Sequence, residues 1–259
     1  MEITLQTVRE VLRSPFGRDS FVASFIKTVQ ADESCVTASI DAQGVMRFNP
    51  PFVQKYVTSH TDLFCLVMHE IMHPMFGHFI YKSGELENIA ADMVINASIS
   101  LFFSRASGEG GLFKKTYEPQ GMEGLLRPQS RMYQSRYFRL YDVFYGSGRS
   151  AQALSTGEVI QSLKVLTPSA ESLNILLLGS HAGSLQNNQE ESGLGDLSGE
   201  TLCRIAEDLR NAVHLPRGNH AGYGITLYDL FLEAIKTHLS IRKVLLQKFA
   251  TRQKVDRFK

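Results

Sequence analysis

His69, Glu70 and His73 stand in the order H-E-x-x-H inside L-V-M-H-E-I-M-H-P-M-F-G-H, residues 66–78. Residues four apart on an α-helix share a face, so both imidazoles can reach one metal ion. Glu70 lies one step round the same side, where it can take a proton from a metal-activated water. Two histidine ligands, a carboxylate base and an open metal position are what zinc-dependent hydrolysis of an amide requires, and Zn²⁺ is the expected cofactor. So short a pattern also arises by chance. The elements around it must decide.

The motif needs a helix to carry it, and S-H-T-D at 59–62 supplies capping candidates for one. Pro74, directly after His73, removes a backbone donor and clashes with the carbonyl of Glu70, which predicts a bend or an early end. Gly77 then lets the chain change direction. After a turn at 81–85, residues 85–103 read as a second helix, apolar almost all round and therefore expected to be buried. Its exception is a polar stripe of Asn88, Asp92 and Asn96, spaced by four. A buried carboxylate is costly unless it is hydrogen-bonded, paired or bound to metal. Asp92 follows His73 by 19 residues, one turn and most of a helix later. It is expected as the third ligand, reaching across from a helix packed beside the first. The competing reading is an Asp bridging within a polar core network.

His78 is the other candidate third ligand. In the pattern H-E-x-x-H-x-x-G-x-x-H a glycine bend returns a third histidine to the metal. Here Gly77 falls one residue late and His78 one early. His78 is therefore placed beside the site, with Asn88 and Asn96 as the residues behind the ligands. Glu85 and Glu87 sit in or near the turn and read as a solvated helix start.

Upstream, residues 3–13 form an amphipathic pattern broken by P-F-G at 15–17, and a second apolar helix is expected over 20–29. C-V-T-A-S-I-D at 35–41 is β-branched and alternating, Ala42-Gln43-Gly44 can turn, and Val45 to Phe48 is short and extended, so a hairpin is expected. N-P-P at 49–51 ends the second strand, because proline cannot donate to a ladder, and a short helix follows at 52–57.

Taken together, F-N-P-P-F-V after a strand-turn-strand, then H-E-I-M-H-P-M-F-G-H, then N-I-A-A-D-M-V-I-N resembles a metallopeptidase-like domain. It is the kind found ahead of von Willebrand factor A-like domains in bacterial and phage proteins. The resemblance covers residues 37–103, roughly a quarter of the chain. It implies a zincin-like fold with His69 and His73 as ligands, Glu70 as base and Asp92 completing the site. By similarity to zincins, Val45, Met46, Arg47 and Phe48 are expected to form the edge strand that pairs with an extended peptide substrate. Residues 211–258 are similar to that family's stretch leading into its second domain. N-I-L-L-L-G-S-H-A-G-S at 174–184 lacks the acidic D-x-S-x-S metal motif, as does D-L-S-G-E at 196–200, so no A-like domain is expected here.

Beyond this core, residues 104–150 are rich in glycine, arginine and tyrosine and read as a mobile, loop-rich insertion. Tyr133, Tyr137, Tyr141 and Tyr145 would share a face if 130–145 were helical, with Arg131, Arg136 and Arg139 interleaved. A tyrosine stripe covering a core edge is expected over a nucleic-acid surface. One tyrosine of this region could stabilise an oxyanion opposite the metal, with no residue singled out. Helices are expected at 155–166, 198–213 and 225–248, with a long exposed loop at 183–198. His181, His214, His220 and His238 have no partner spacing. Residues 242–259 carry seven basic residues against Asp256, a solvated basic face by default and a nucleic-acid contact as the minor reading.

The 259 residues, 43% hydrophobic and 20% charged, suit one metallopeptidase-like domain over about 1–240 (core 20–103) with a basic C-terminal tail at 241–259. The net charge of +1 argues against a global affinity for nucleic acid or anionic membrane. Cys35, Cys65 and Cys203 are odd in number and widely spaced, which suits a reducing, cytoplasmic setting. No uncharged run reaches membrane-spanning length. The expected architecture is α+β and predominantly helical. The expected function is zinc-dependent hydrolysis of a protein or peptide substrate. The rival is a zinc-stabilised scaffold that binds a protein or nucleic-acid partner without turnover.

Overall fold

The computed structural model describes residues 1–41, 43–75, 84–100, 111–128, 133–145, 156–167, 175–178 and 199–212. Gly77, His78, Arg131, the turn at 81–83, the loop at 183–198, the histidines at 181, 214, 220 and 238, the helix at 225–248 and the basic tail lie outside these residues.

The chain enters through α1 (Leu5–Phe16), capped by Thr4, whose hydroxyl accepts from the Thr7 N–H at 3.1 Å. The helix runs through Pro15 rather than stopping before it. Gly17 terminates it at φ 92°, its N–H returning to the Arg13 carbonyl at 2.9 Å. α2 (Phe21–Phe25) is capped by Ser20 and is five residues long, shorter than the helix expected over 20–29. Its continuation is β1 (Thr28–Ala31) instead. The Lys27 and Thr28 N–H groups both reach the Gly44 carbonyl, at 2.8 and 3.4 Å, and draw the β-branched pair Thr28-Val29 into a ladder.

β2 (Ala38–Ile40) and β3 (Val45–Phe48) make the expected antiparallel hairpin, with Ser39 opposite Arg47. Asp41 organises the turn by accepting from the Gln43 and Val45 N–H groups at 3.0 and 2.9 Å. Gly44 is required twice over. Its φ is 81°, and a Cβ there would sit 2.1 Å from the Phe25 carbonyl oxygen.

The strand order is β1-β3-β2, with β1 parallel and β2 antiparallel to β3. Val45, Met46, Arg47 and Phe48 therefore form the central strand, hydrogen-bonded on both sides. They are not the edge that the hairpin pattern led us to expect. The third strand came from residues whose apolar pattern also suits a helix.

Asn49 caps α3 (Pro50–Tyr56), accepting from the Phe52 N–H at 3.0 Å while donating to the Cys35 carbonyl at 2.8 Å. α4 (His60–Met75) follows, with Pro74 in its last turn. Ser59 and Asp62 cap it reciprocally. Ser59 Oγ accepts from the Asp62 N–H at 3.2 Å, and Asp62 Oδ2 accepts from the Ser59 N–H at 2.8 Å.

α5 (Glu85–Ser100) packs alongside α4, and both are buried nearly all round. α6 (Gly111–Thr116) lies against α4, where Lys115 pairs with Asp62. A 3-10 turn at Glu123–Leu126 and α7 (Phe138–Tyr145) follow. α8 (Thr156–Leu166) lies along α5, with Lys164 2.7 Å from Glu87. α9 (Gly199–Ala212) returns to α1 and α2, where Asp208 accepts from the Val22 N–H at 2.7 Å.

Among the described residues this is a mainly helical α+β fold with one three-stranded sheet. The described parts of 104–150 belong to the core: Leu112, Phe113, Tyr117, Leu125, Leu126, Tyr133 and Tyr141 join the same buried cluster as α4 and α5. Among the described residues, no helix is long and apolar enough to cross a membrane. The three cysteines are free thiols.

Candidate metal centre

α4 places His69 and His73 one turn apart, and α5 brings Asp92 against both. The Nε2 atoms of the two histidines are 3.1 Å apart, and Asp92 Oδ1 lies 3.4 Å from His69 Nε2 and 3.7 Å from His73 Nε2. His69 and Asp92 are fully buried, while the His73 side chain keeps 18% of its surface.

The separations decide what the cluster could hold. Ligand atoms at the corners of a tetrahedron with bonds of about 2.1 Å lie about 3.4 Å apart. The three measured edges bracket that value, and the circle through three such points has a radius of about 2.0 Å. Two imidazole nitrogens and a carboxylate oxygen are also a donor set that zinc accepts.

Asn96, one turn beyond Asp92 on α5, determines the chemistry of His69. Its Nδ2 donates to the Leu126 carbonyl at 2.9 Å, which orients the amide so that Oδ1 faces His69 Nδ1 at 2.9 Å. Nδ1 therefore carries the proton, and Nε2 presents its lone pair to the cluster. That lone pair meets the Leu178 carbonyl oxygen at 2.8 Å as well as Asp92 Oδ1. Carboxylate and carbonyl oxygens have no proton to offer, so the meeting calls for a cation: a metal ion, or a second proton on the ring.

Glu70 is 4% exposed, and among the described residues its Oε1 has no hydrogen-bond partner. Burial pushes its carboxyl up to about 8, with His69 pulling it down and Asp92 pushing it up. A carboxyl so placed gives up its proton at neutral pH more readily when positive charge arrives nearby. A cation at the adjacent cluster would supply that charge.

Tyr117, from the turn after α6, closes the site from behind. It is 2% exposed, and its hydroxyl accepts from the Leu178 N–H at 3.3 Å. Burial, helped by the Asp92 charge, holds its phenol well above the usual range, with the Leu178 and Asn96 hydrogen bonds opposing.

His69, His73, Asp92, Glu70 and Asn96 are thus brought together from the expected set. Asn88 is half-buried a turn before Asp92 and, among the described residues, is not seen joined to the cluster, whereas Glu87 is engaged by Lys164. His78 lies outside the described residues. The tyrosine stripe serves packing. Tyr133 and Tyr137 precede α7 rather than belonging to it, yet the Tyr133 and Tyr141 rings stack at 4.2 Å. Tyr133, Tyr141 and Tyr145 donate to the carbonyls of Gly121, Arg127 and Leu125.

Sequence reasoning missed Tyr117 and Leu178. Tyr117 has no periodic partner, and Leu178 takes part through its main chain, which leaves no mark in a sequence. Comparison of the chain with protein-family models, curated proteins and solved structures finds no match.

Proposed function

We propose that this protein is a zinc-dependent hydrolase of peptide bonds, with His69, His73 and Asp92 as ligands and Glu70 as general base. The observation that supports this most is the convergence of the three ligand atoms at 3.1, 3.4 and 3.7 Å, with a buried carboxyl beside them. A divalent cation held there supplies Lewis-acid polarisation of a carbonyl and a water acidic enough to react at neutral pH. Asn96 keeps the proton on Nδ1 of His69, so Nε2 stays a ligand. Glu70 accepts a proton from the attacking water and returns it to the leaving amine, and its apolar surroundings make it a competent acid for that second transfer.

The zincin-like reading and the kinship with the domain ahead of von Willebrand factor A-like modules rest on the resemblance of residues 37–103. A substrate strand would add to an outer strand, β1 or β2, since β3 is paired on both sides. Free cysteines accord with a reducing, cytoplasmic setting.

The second reading is a metal-stabilised scaffold without turnover. The Leu178 carbonyl beside His69 favours it, because structural zinc sites are closed and catalytic ones keep a position open.

Metal content by mass spectrometry and peptide hydrolysis, measured on wild type, His73→Ala, Asp92→Ala and Glu70→Gln, separate the readings. Hydrolysis predicts that the two ligand variants lose zinc, while Glu70→Gln keeps it and loses turnover on the order of 10²–10⁴-fold. A scaffold predicts zinc in wild type with no turnover for Glu70→Gln to remove. A wild type with no stoichiometric metal leaves a protonated His69 paired with Asp92 and ends both.

A further inference from the structure

The segment 175–178 crosses the site without belonging to a helix or strand. Ile175, Leu176 and Leu177 pack half-buried against the core, and Leu178 is fully buried. The Leu178 peptide is gripped at both ends. Its N–H donates to Tyr117 Oη at 3.3 Å, and its carbonyl oxygen stands 2.8 Å from His69 Nε2. With the Nδ1 proton committed to Asn96, that second contact sets a nitrogen lone pair against an oxygen lone pair. Two acceptors at 2.8 Å repel unless a cation sits where both can reach it.

We propose that the main-chain carbonyl oxygen of Leu178 is the fourth ligand of this metal centre, held in place by Tyr117 and closing the position that water or substrate would need. The inference rests on the metal reading above. It gives the ion a two-nitrogen, two-oxygen set drawn from α4, α5 and the 175–178 segment. It also gates the site: turnover proceeds through the fraction of molecules in which the segment has withdrawn and freed one coordination position.

The test uses the full chain loaded with Co²⁺, whose visible absorption reports coordination, titrated with azide as a small anionic ligand for any open position. Wild type is expected to give an intense four-coordinate spectrum that azide leaves unchanged. Tyr117→Phe removes the acceptor for the Leu178 N–H and is expected to gain an azide-dependent spectral shift that wild type lacks. Leu178→Gly keeps the carbonyl but loses the buried anchor, and is expected to shift further. An azide-sensitive wild-type spectrum overturns the fourth ligand whatever the variants do, and leaves the three-residue metal site standing. Failure of wild type to take up Co²⁺ overturns the metal reading with it.

Discussion

At the residue scale the site depends on which atoms hold protons. Asn96 is a conduit between the Leu126 carbonyl and His69, its Nδ2 turned to the first and its Oδ1 to the second. Asn96→Ala should weaken metal binding about 10–100-fold, because the His69 tautomer is no longer imposed. It should also cost about 1–3 kcal/mol, since the Leu126 carbonyl is left unpaired. Chelator competition and denaturant unfolding read the two effects separately.

Glu70 makes a prediction of its own in the metal-free chain. Folded, it keeps its proton up to about pH 8; unfolded, it releases it near 4.5. The folded state binds the extra proton between those values, so stability should fall as pH rises through that window and level off above it. Glu70→Gln should flatten the fall. Unfolding midpoints for both proteins between about pH 5 and pH 8 check this, and parallel curves would refute it.

At the scale of elements, His69, His73 and Asp92 are only as well placed as α4 and α5. The start of α4 is held by the Ser59–Asp62 cap and by Lys115 from α6. Lys115 and these hydrogen bonds hold the Asp62 carboxyl below its usual range in spite of its burial. Asp62→Ala should cost about 1–2 kcal/mol through the lost cap, lower the thermal midpoint and loosen α6. Circular dichroism melts test it; a midpoint equal to wild type would mean the cap is redundant.

The sheet has its own weak point. Gly44→Ala meets both a left-handed backbone and the Phe25 carbonyl, so it should destabilise by more than the roughly 1 kcal/mol of the backbone term alone. The same melts measure it, and a neutral result would place the Phe25 contact elsewhere. The strands also explain a misreading. Residues 28–31 are helix-compatible locally, and only the Gly44 carbonyl and a partner in β3 make them extended.

For the whole molecule, the candidate metal centre ties together segments more than 100 residues apart, from His69 on α4 to Leu178. A cation that binds only this folded arrangement should raise stability by mass action, about 2.7 kcal/mol at a hundredfold excess over its dissociation constant. Addition of Zn²⁺ should raise the melting temperature, and a chelator should return it to the metal-free value. Hydrogen exchange at the Leu178 amide should slow on metal addition, because opening the segment would then cost the ion a ligand. An unchanged rate would separate the segment from the centre.

The sequence alone determined the face of α4 that carries His69, Glu70 and His73, and the lone acidic stripe on α5. Helical periodicity is local, and a buried carboxylate stands out against apolar neighbours. It also indicated the β2–β3 hairpin, whose turn chemistry is written in Asp41 and Gly44. Tertiary structure alone decided the rest. The order of the sheet depends on a third strand whose local signature, the β-branched pair Thr28-Val29, is too short to decide between helix and strand. Tyr133, Tyr141 and Tyr145 became packing residues whose hydroxyls found carbonyls, and Tyr117 came to the site through long-range contacts. The Leu178 carbonyl reached His69 as a main-chain group, identical in every residue, and no reading of side chains could have found it.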